Sequence, residues 1–323
     1  MGGSQFGDFQ VFGSELSEVL GLSNASFFIT SELFIWTLSG SGSSKGAFKM
    51  SVKAKDEGTV KAYDNKEFLS SPDARLIRIM AEMTEPATRF RKHGIKDTVV
   101  FFGSSRILSK EIASRNLNKI KLKMDNGVKS SRSLQMQYDR AERDLTMSNY
   151  YEDAMCLSEK LTRYFKRQNK NLVICSGGGP GIMEAANRGA KKAGGKSMGL
   201  NISIPTEQIP NSYQTKELAL EFHYFFIRKF WFFYLAKALV VFPGGFGTID
   251  ELVELLTLMQ TGNKSNKCVS IILYGSNYWN DIIDFNKLLY WGTISKKDLK
   301  LFKVIDDVDE AFQYLKKQLK NII

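Results

Sequence analysis

The chain has 323 residues, 43% of them hydrophobic, enough for a large globular core with additions. Its net charge of +11 suits anionic ligands and equally a solvated basic surface; no basic stripe with interleaved aromatics marks a nucleic-acid site. Three scattered cysteines (Cys156, Cys175, Cys268) and two histidines (His93, His223) argue against a disulfide frame, a zinc knuckle and a histidine-built metal site.

No stretch is long and apolar enough for a transmembrane helix, and no basic region precedes an apolar run at the N-terminus, so neither a membrane span nor a signal peptide is expected. Residues 1–49 are rich in Ser, Gly and Phe and lack Lys until Lys45, whereas the chain is Lys-rich from Met50. The expectation is a poorly ordered N-terminal extension over residues 1–60 or, in a sharper version, an upstream read-through over 1–49 with Met50 as the true start, followed by one large domain over 61–323. Residues 66–93 read as a helix, opened by Ser70-Ser71-Pro72-Asp73 and striped by Leu76, Ile79, Met80 and Met83, with Pro86 kinking or restarting it. Asp97 to Gly103 is a buried strand, ended by the turn Gly103-Ser104-Ser105-Arg106, which offers N–H and hydroxyl donors to an anion. Residues 107–147 are charged with little apolar periodicity and read as an exposed helical insertion. Tyr150 to Phe165 is an amphipathic helix, and Asn171 to Ser176 a strand.

A glycine loop, Gly177-Gly178-Gly179-Pro180-Gly181, then opens another helix. Ile182 stands where a dinucleotide G-x-G-x-x-G would need glycine, and no GK[ST] follows, which disfavours NAD, FAD and a Walker-type ATPase. Lys196 to Ile204 is a strand. Residues 217–237, ELALEFHYFFIRKFWFFYLAK, are unusually aromatic, and 222–234 within them read as a helix whose aromatics are mostly core or subunit interface. Arg228 and Lys229 inside it demand a partner or a ligand, because an unpaired buried charge is costly.

Leu239 to Phe242 is a strand that stops at Pro243. Gly244, Gly245 and Gly247 follow, and then a helix with Thr248 as its cap and Glu251 in its first turn. Strand, glycine turn and helix N-terminus together form an anion site, read here as a phosphate cradle. Thr248-x-x-Glu251 is also a capping-box spacing, which would make Glu251 a servant of its own helix. Strands at 268–274 and 302–305 and helices at 278–290 and 308–319 complete the chain. The alternation predicts an α/β fold, a doubly wound parallel sheet (Rossmann-like) with helices on both faces. Ligands bind such sheets at the C-terminal strand ends, where the turns at Gly103, Gly177 and Gly244 fall.

The motif PGGxGTxxE (Pro243 to Glu251), the pair Arg228-Lys229, the GGGPGIMEAANRGA loop and the VFFGSSR turn resemble the LOG family of cytokinin riboside 5'-monophosphate phosphoribohydrolases. The chain looks closest to the longer bacterial members, many once labelled possible lysine decarboxylases. The resemblance runs from about residue 66 to the C-terminus. It implies hydrolysis of the N-glycosidic bond of a nucleoside 5'-monophosphate, AMP or an N6-modified adenine nucleotide, to free base and ribose 5-phosphate. It assigns catalysis to Arg228 and Glu251 and the 5'-phosphate to Gly244, Gly245, Gly247 and Thr248. Gly103, Ser104, Gly178, Gly179 and Lys229 complete the expected substrate-binding set. No metal and no organic cofactor is implied; the setting would be cytoplasmic, and the aromatic segment suggests a homo-oligomer. Phe232 stands where short plant-type members carry Met. The rival readings are a pyridoxal-phosphate decarboxylase, for which no motif fixes a Schiff-base lysine, and a nucleotide carrier using the same loops without turnover.

Overall fold

The computed structural model describes residues 59–125, 131–203, 209–262 and 269–320. The N-terminal extension and the start at Met50 lie outside the described residues.

Seven described strands form one sheet: β1 (Asp97–Phe102), β2 (Leu172–Ser176), β3 (Ser197–Ile202), β4 (Ala219–Phe222), β5 (Ala236–Val241), β6 (Ser270–Tyr274) and β7 (Phe302–Ile305). Their order is β4-β3-β2-β1-β5-β6-β7, and every pairing is parallel. The apolar runs of β1, β2 and β5 are buried nearly throughout, as a sheet covered on both faces requires. Alternate residues of one strand feed opposite layers: Val100 and Phe102 enter one apolar cluster, Val99 and Phe101 the other. Helices α1 (Lys66–Ser70), α2 (Arg75–Lys92), α3 (Lys110–Asp125), α4 (Arg132–Arg167) and α5 (Ile182–Lys192) precede α6 (Phe225–Tyr234) and α7 (Phe246–Thr261). Then come α8 (Ser276–Ile282), α9 (Phe285–Tyr290) and α10 (Val308–Lys320). Residues of α2, α6 and α7 fill the first cluster, and those of α4, α5 and α10 the second. This is the doubly wound α/β fold expected.

The strand order reverses between β1 and β5: β2, β3 and β4 extend one way, β5, β6 and β7 the other. Their crossovers therefore leave on opposite faces and open a crevice at the carboxyl ends of β1 and β5.

Three local expectations change. The aromatic helix expected over 222–234 runs from Phe225 to Tyr234, and a strand that was not expected, the edge strand β4 (Ala219–Phe222), precedes it. The strand was hidden because it is only four residues long and holds no β-branched residue to mark it. Within the charged segment 107–147, Lys110–Asp125 is a helix, and the residues from Arg132 on are continuous with the helix that follows. α4 is a single helix of 36 residues, about 54 Å long, with Leu134 and Ala141 buried near its start. Finally, α2 passes through Pro86 without a break in its assigned span.

Candidate active site

The three glycine turns meet at the crevice. Backbone bonds tie them: Ser104 N–H donates to the Pro243 carbonyl at 2.9 Å, and Ile182 N–H to the Ser104 carbonyl at 3.1 Å. Gly103 is needed for this closeness, since a Cβ there would meet the Ile182 side chain at 2.7 Å. Ser104 Oγ accepts from Arg106 N–H at 3.1 Å and so braces its own turn.

The loop after β2 is held by a buried amide network. Asn187 Oδ1 accepts from Ser176 Oγ at 2.7 Å and from Asn211 Nδ2 at 3.0 Å. Gln214 Nε2 and Asn211 Nδ2 both donate to the Gly178 carbonyl, at 2.7 and 2.9 Å. Gly178 N–H donates to Ser176 Oγ at 3.1 Å, so both backbone groups of Gly178 are engaged inside the protein. Its φ of +74° and the Asn201 amide lying against it exclude any side chain there. Gly179 gives its carbonyl to Asn211 Nδ2 at 2.9 Å. Asn201, Asn211 and Gln214 were missed in the sequence: single amides in a strand and a loop carry no spacing signal, while Asn187 stood inside the GGGPGIMEAANRGA motif without a role.

The loop after β5 behaves differently. α7 begins at Phe246 with Gly245 as its N-cap, and no side chain caps it. Thr248 is thus the third helical residue and not the cap, and Glu251 lies in the second turn and not the first. This corrects the sequence reading and removes the capping box, because Glu251 is too far along the helix to serve its start. Thr248 turns its hydroxyl onto Gly244, where a Cβ would collide with it. Gly245 and Gly247 are exposed, and a Cβ on either would meet nothing within 4 Å. Phe246 between them is 94% exposed. The first N–H groups of a helix have no partner within it, so this open glycine face presents unpaired donors and the positive end of the α7 dipole.

Behind that face lies Glu251, only 8% exposed, with Oε2 buried and no hydrogen bond to any described residue. Burial pushes its carboxyl up to about 7; Lys229 and Arg228 pull it down, and Asp250 and Glu254 push it up. Arg228 comes from α6. Its Nε donates to the Leu200 carbonyl of β3 at 2.7 Å, and its guanidinium lies 5.0 Å over the Phe232 ring. A Cβ on Gly177 would lie 2.6 Å from Arg228 Nη2, so the first glycine of the β2 loop makes room for this side chain. Burial lowers the Arg228 pKa and the Glu251 charge raises it, yet the two make no direct ion pair among the described residues. Lys229 ion-pairs with two other carboxylates of α7, 2.7 Å from Asp250 Oδ2 and 2.6 Å from Glu254 Oε2. The start of α6 is itself anchored: the Glu82 carboxylate of α2 accepts from His223 N–H at 2.8 Å and Tyr224 N–H at 3.2 Å. His223 is exposed.

The structure thus gathers Arg228, Lys229, Glu251, Gly177 and the Gly244–Thr248 turn at the sheet reversal. A family model described as "Possible lysine decarboxylase", the LOG family, matches residues 183–315. The matched segment contains Arg228, Lys229 and the whole Gly244–Glu251 stretch, while the turns after β1 and β2 lie upstream of it. Among curated relatives, the pyrimidine/purine nucleotide 5'-monophosphate nucleosidase of Escherichia coli K12 is 26% identical over 166 residues, 46% of this chain. The chain spans about a third of the length of the curated relatives it matches, 35%. Of solved structures, the molybdenum cofactor carrier protein of Chlamydomonas reinhardtii is 19% identical over 53% of this chain and 89% of its own, with a TM-score of 0.35. The structural-genomics target TM1055 is 19% identical over 68% of this chain and 99% of its own, with a TM-score of 0.38. Overlaps of this size carry no weight for function.

The decarboxylase wording of the LOG description implies a lysine that forms a Schiff base with pyridoxal phosphate. Lys229, the lysine of this site, does not fit. Such a lysine works with a depressed pKa, whereas Asp250 and Glu254 hold Lys229 well above the usual range.

Proposed function

We propose that the protein hydrolyses the N-glycosidic bond of a nucleoside 5'-monophosphate, AMP or an N6-modified adenine nucleotide, releasing free base and ribose 5-phosphate. One observation carries the reading: a buried carboxylate oxygen of Glu251 with no partner among the described residues, one turn into a helix whose glycine N-terminus is open. A buried polar atom without a partner is rare in folded proteins and points to a ligand group that completes it. The 5'-phosphate occupies the Gly245–Gly247 face, held by backbone N–H groups and the helix dipole. That anchorage sets the ribose against Glu251.

Cleavage builds positive charge on the sugar ring as the base departs. The Glu251 carboxylate stabilises that oxocarbenium-like state, accepts from the ribose hydroxyls and orients the attacking water. Lys229 and Arg228 favour the ionised form of Glu251 against its burial, and Arg228, fixed by the Leu200 carbonyl and Phe232, faces the anionic substrate. The name of the Escherichia coli relative supports this reaction class, and the Arg228–Glu251 arrangement favours turnover over a carrier. We also propose a homo-oligomer in the cytoplasm, supported by Phe225, Phe226 and Tyr234, which stand exposed on α6.

The test is a panel of nucleoside 5'-monophosphates read for free base and ribose 5-phosphate, with Glu251→Gln alongside. Adenine release that falls at least about a hundredfold in the variant is expected, the scale of losing a group that stabilises transition-state charge. Nucleotide binding without base release from any member of the panel would favour the carrier.

A further inference from the structure

The peptide between Gly244 and Gly245 is the hinge of the proposed cradle. Neither residue has a Cβ, so counter-rotation about this peptide plane meets little steric resistance, and the plane has two orientations to choose from. In one, Gly245 N–H faces the crevice. In the other, the Gly244 carbonyl oxygen faces it and would repel a phosphate.

A residue from a distant part of the chain makes the choice. Tyr278 of α8 donates its hydroxyl to the Gly244 carbonyl at 2.6 Å. In a trans peptide the C=O and the following N–H point in opposite directions, and none of the described peptide bonds is cis. Pinning the Gly244 carbonyl to Tyr278 therefore aims Gly245 N–H the other way. That N–H meets no acceptor among the described residues, and the space in front of its residue is open.

Tyr278 is itself well placed for this. β6 pairs with β5, Leu273 beside Val241, so the chain leaving β6 emerges next to the loop leaving β5. Trp279 then locks the segment by donating Nε1 to the carbonyls of Val241 and Tyr274, both at 3.2 Å. The Tyr278 ring stands edge-on to Trp279 with centroids 5.3 Å apart. Burial raises the phenol pKa, which keeps the hydroxyl protonated and able to donate.

We propose that Tyr278 is a positioning residue for the substrate phosphate: its hydroxyl holds the Gly244 carbonyl away from the crevice and so presents Gly245 N–H to a phosphate monoester. This rests on reading the turn as a phosphate cradle, and it does not need the glycosidic bond to be cleaved.

The experiment is calorimetric titration of the full-chain protein and of Tyr278→Phe with ribose 5-phosphate and with ribose, together with AMP kinetics and an unfolding curve. The variant is expected to bind ribose 5-phosphate about tenfold more weakly, the value of one good hydrogen bond, with ribose unaffected. Its KM for AMP rises about as much, while kcat changes by less than about threefold. Equal ribose 5-phosphate affinity in the two proteins would overturn the proposal, as would absence of binding by the unaltered one. Ribose 5-phosphate binding that depends on Tyr278, without base release from any nucleotide, would sink the hydrolase reading and leave this one standing. A general loosening of the fold would weaken ribose and ribose 5-phosphate alike and lower kcat, and would also overturn it.

Discussion

At the scale of single residues, Glu251 sets up a conflict between folding and function. Its carboxyl is raised to about 7 by burial, against an ordinary value near 4.5. The folded state therefore holds a proton that the unfolded chain has lost between those two values. Stability from this group is full below about pH 4, falls as pH rises towards 7, and is flat above. Replacing it with glutamine removes the cost of ionisation. Glu251→Gln is expected to be more stable than the natural protein at pH 8, by on the order of 3 kcal/mol, and to match it near pH 4. Chemical unfolding at the two pH values checks this, and equal stability at pH 8 would refute it. The same ionisation governs the rate: kcat/KM should rise about tenfold per pH unit below 7 and level off above. The identity and spacing of Glu251 were legible in the sequence. Its bland reading as a capping box was equally legible, and only the position of the helix start removed it.

Among elements, the glycines divide into two kinds that look alike in the sequence. Gly244 is closed in by Thr248, whereas Gly247 faces open space within the first turn of α7. Gly244→Ala is expected to lower stability by about 1–3 kcal/mol through overpacking. Gly247→Ala should leave the unfolding midpoint unchanged or higher, because alanine favours the helix, while its methyl fills the space proposed for the phosphate. Ribose 5-phosphate affinity should then fall in Gly247→Ala without loss of stability. An alanine at 247 that binds as tightly as glycine would remove the phosphate from that face. α6 shows the opposite case, an element whose placement could not be read locally. Its N-terminus is held by Glu82, and its Arg228 is held by the carbonyl of Leu200. Both partners lie far away in sequence, and neither carries a motif.

For the whole molecule, the site depends on where the strand order reverses. Three glycine turns at strand ends could be read from the sequence, but only the order β4-β3-β2-β1-β5-β6-β7 brings the turns after β1 and β5 side by side. α6 and α7 both cover the same face of the sheet, and both leave apolar side chains outside: Phe225, Phe226 and Tyr234 on one, Val253 and Leu258 on the other. A homo-oligomer would remove this surface from water. Light scattering on a sizing column should give a mass at least twice the 36.5 kDa of one chain, and Phe226→Glu should lower it. A monomer at micromolar concentration would rule that assembly out.

The sequence by itself determined the fold class and the turn positions, and it singled out Arg228 and Glu251 as candidates. Each of these is written in local signals: apolar runs, glycines after strands, and a charge inside an aromatic segment. Only the tertiary structure decided which glycines make room for protein atoms and which leave room for a ligand. It alone placed Tyr278 on the Gly244 carbonyl and left a buried oxygen of Glu251 without a partner among the described residues. Those facts depend on what lies beyond each residue in space, and spacing along a chain does not encode that.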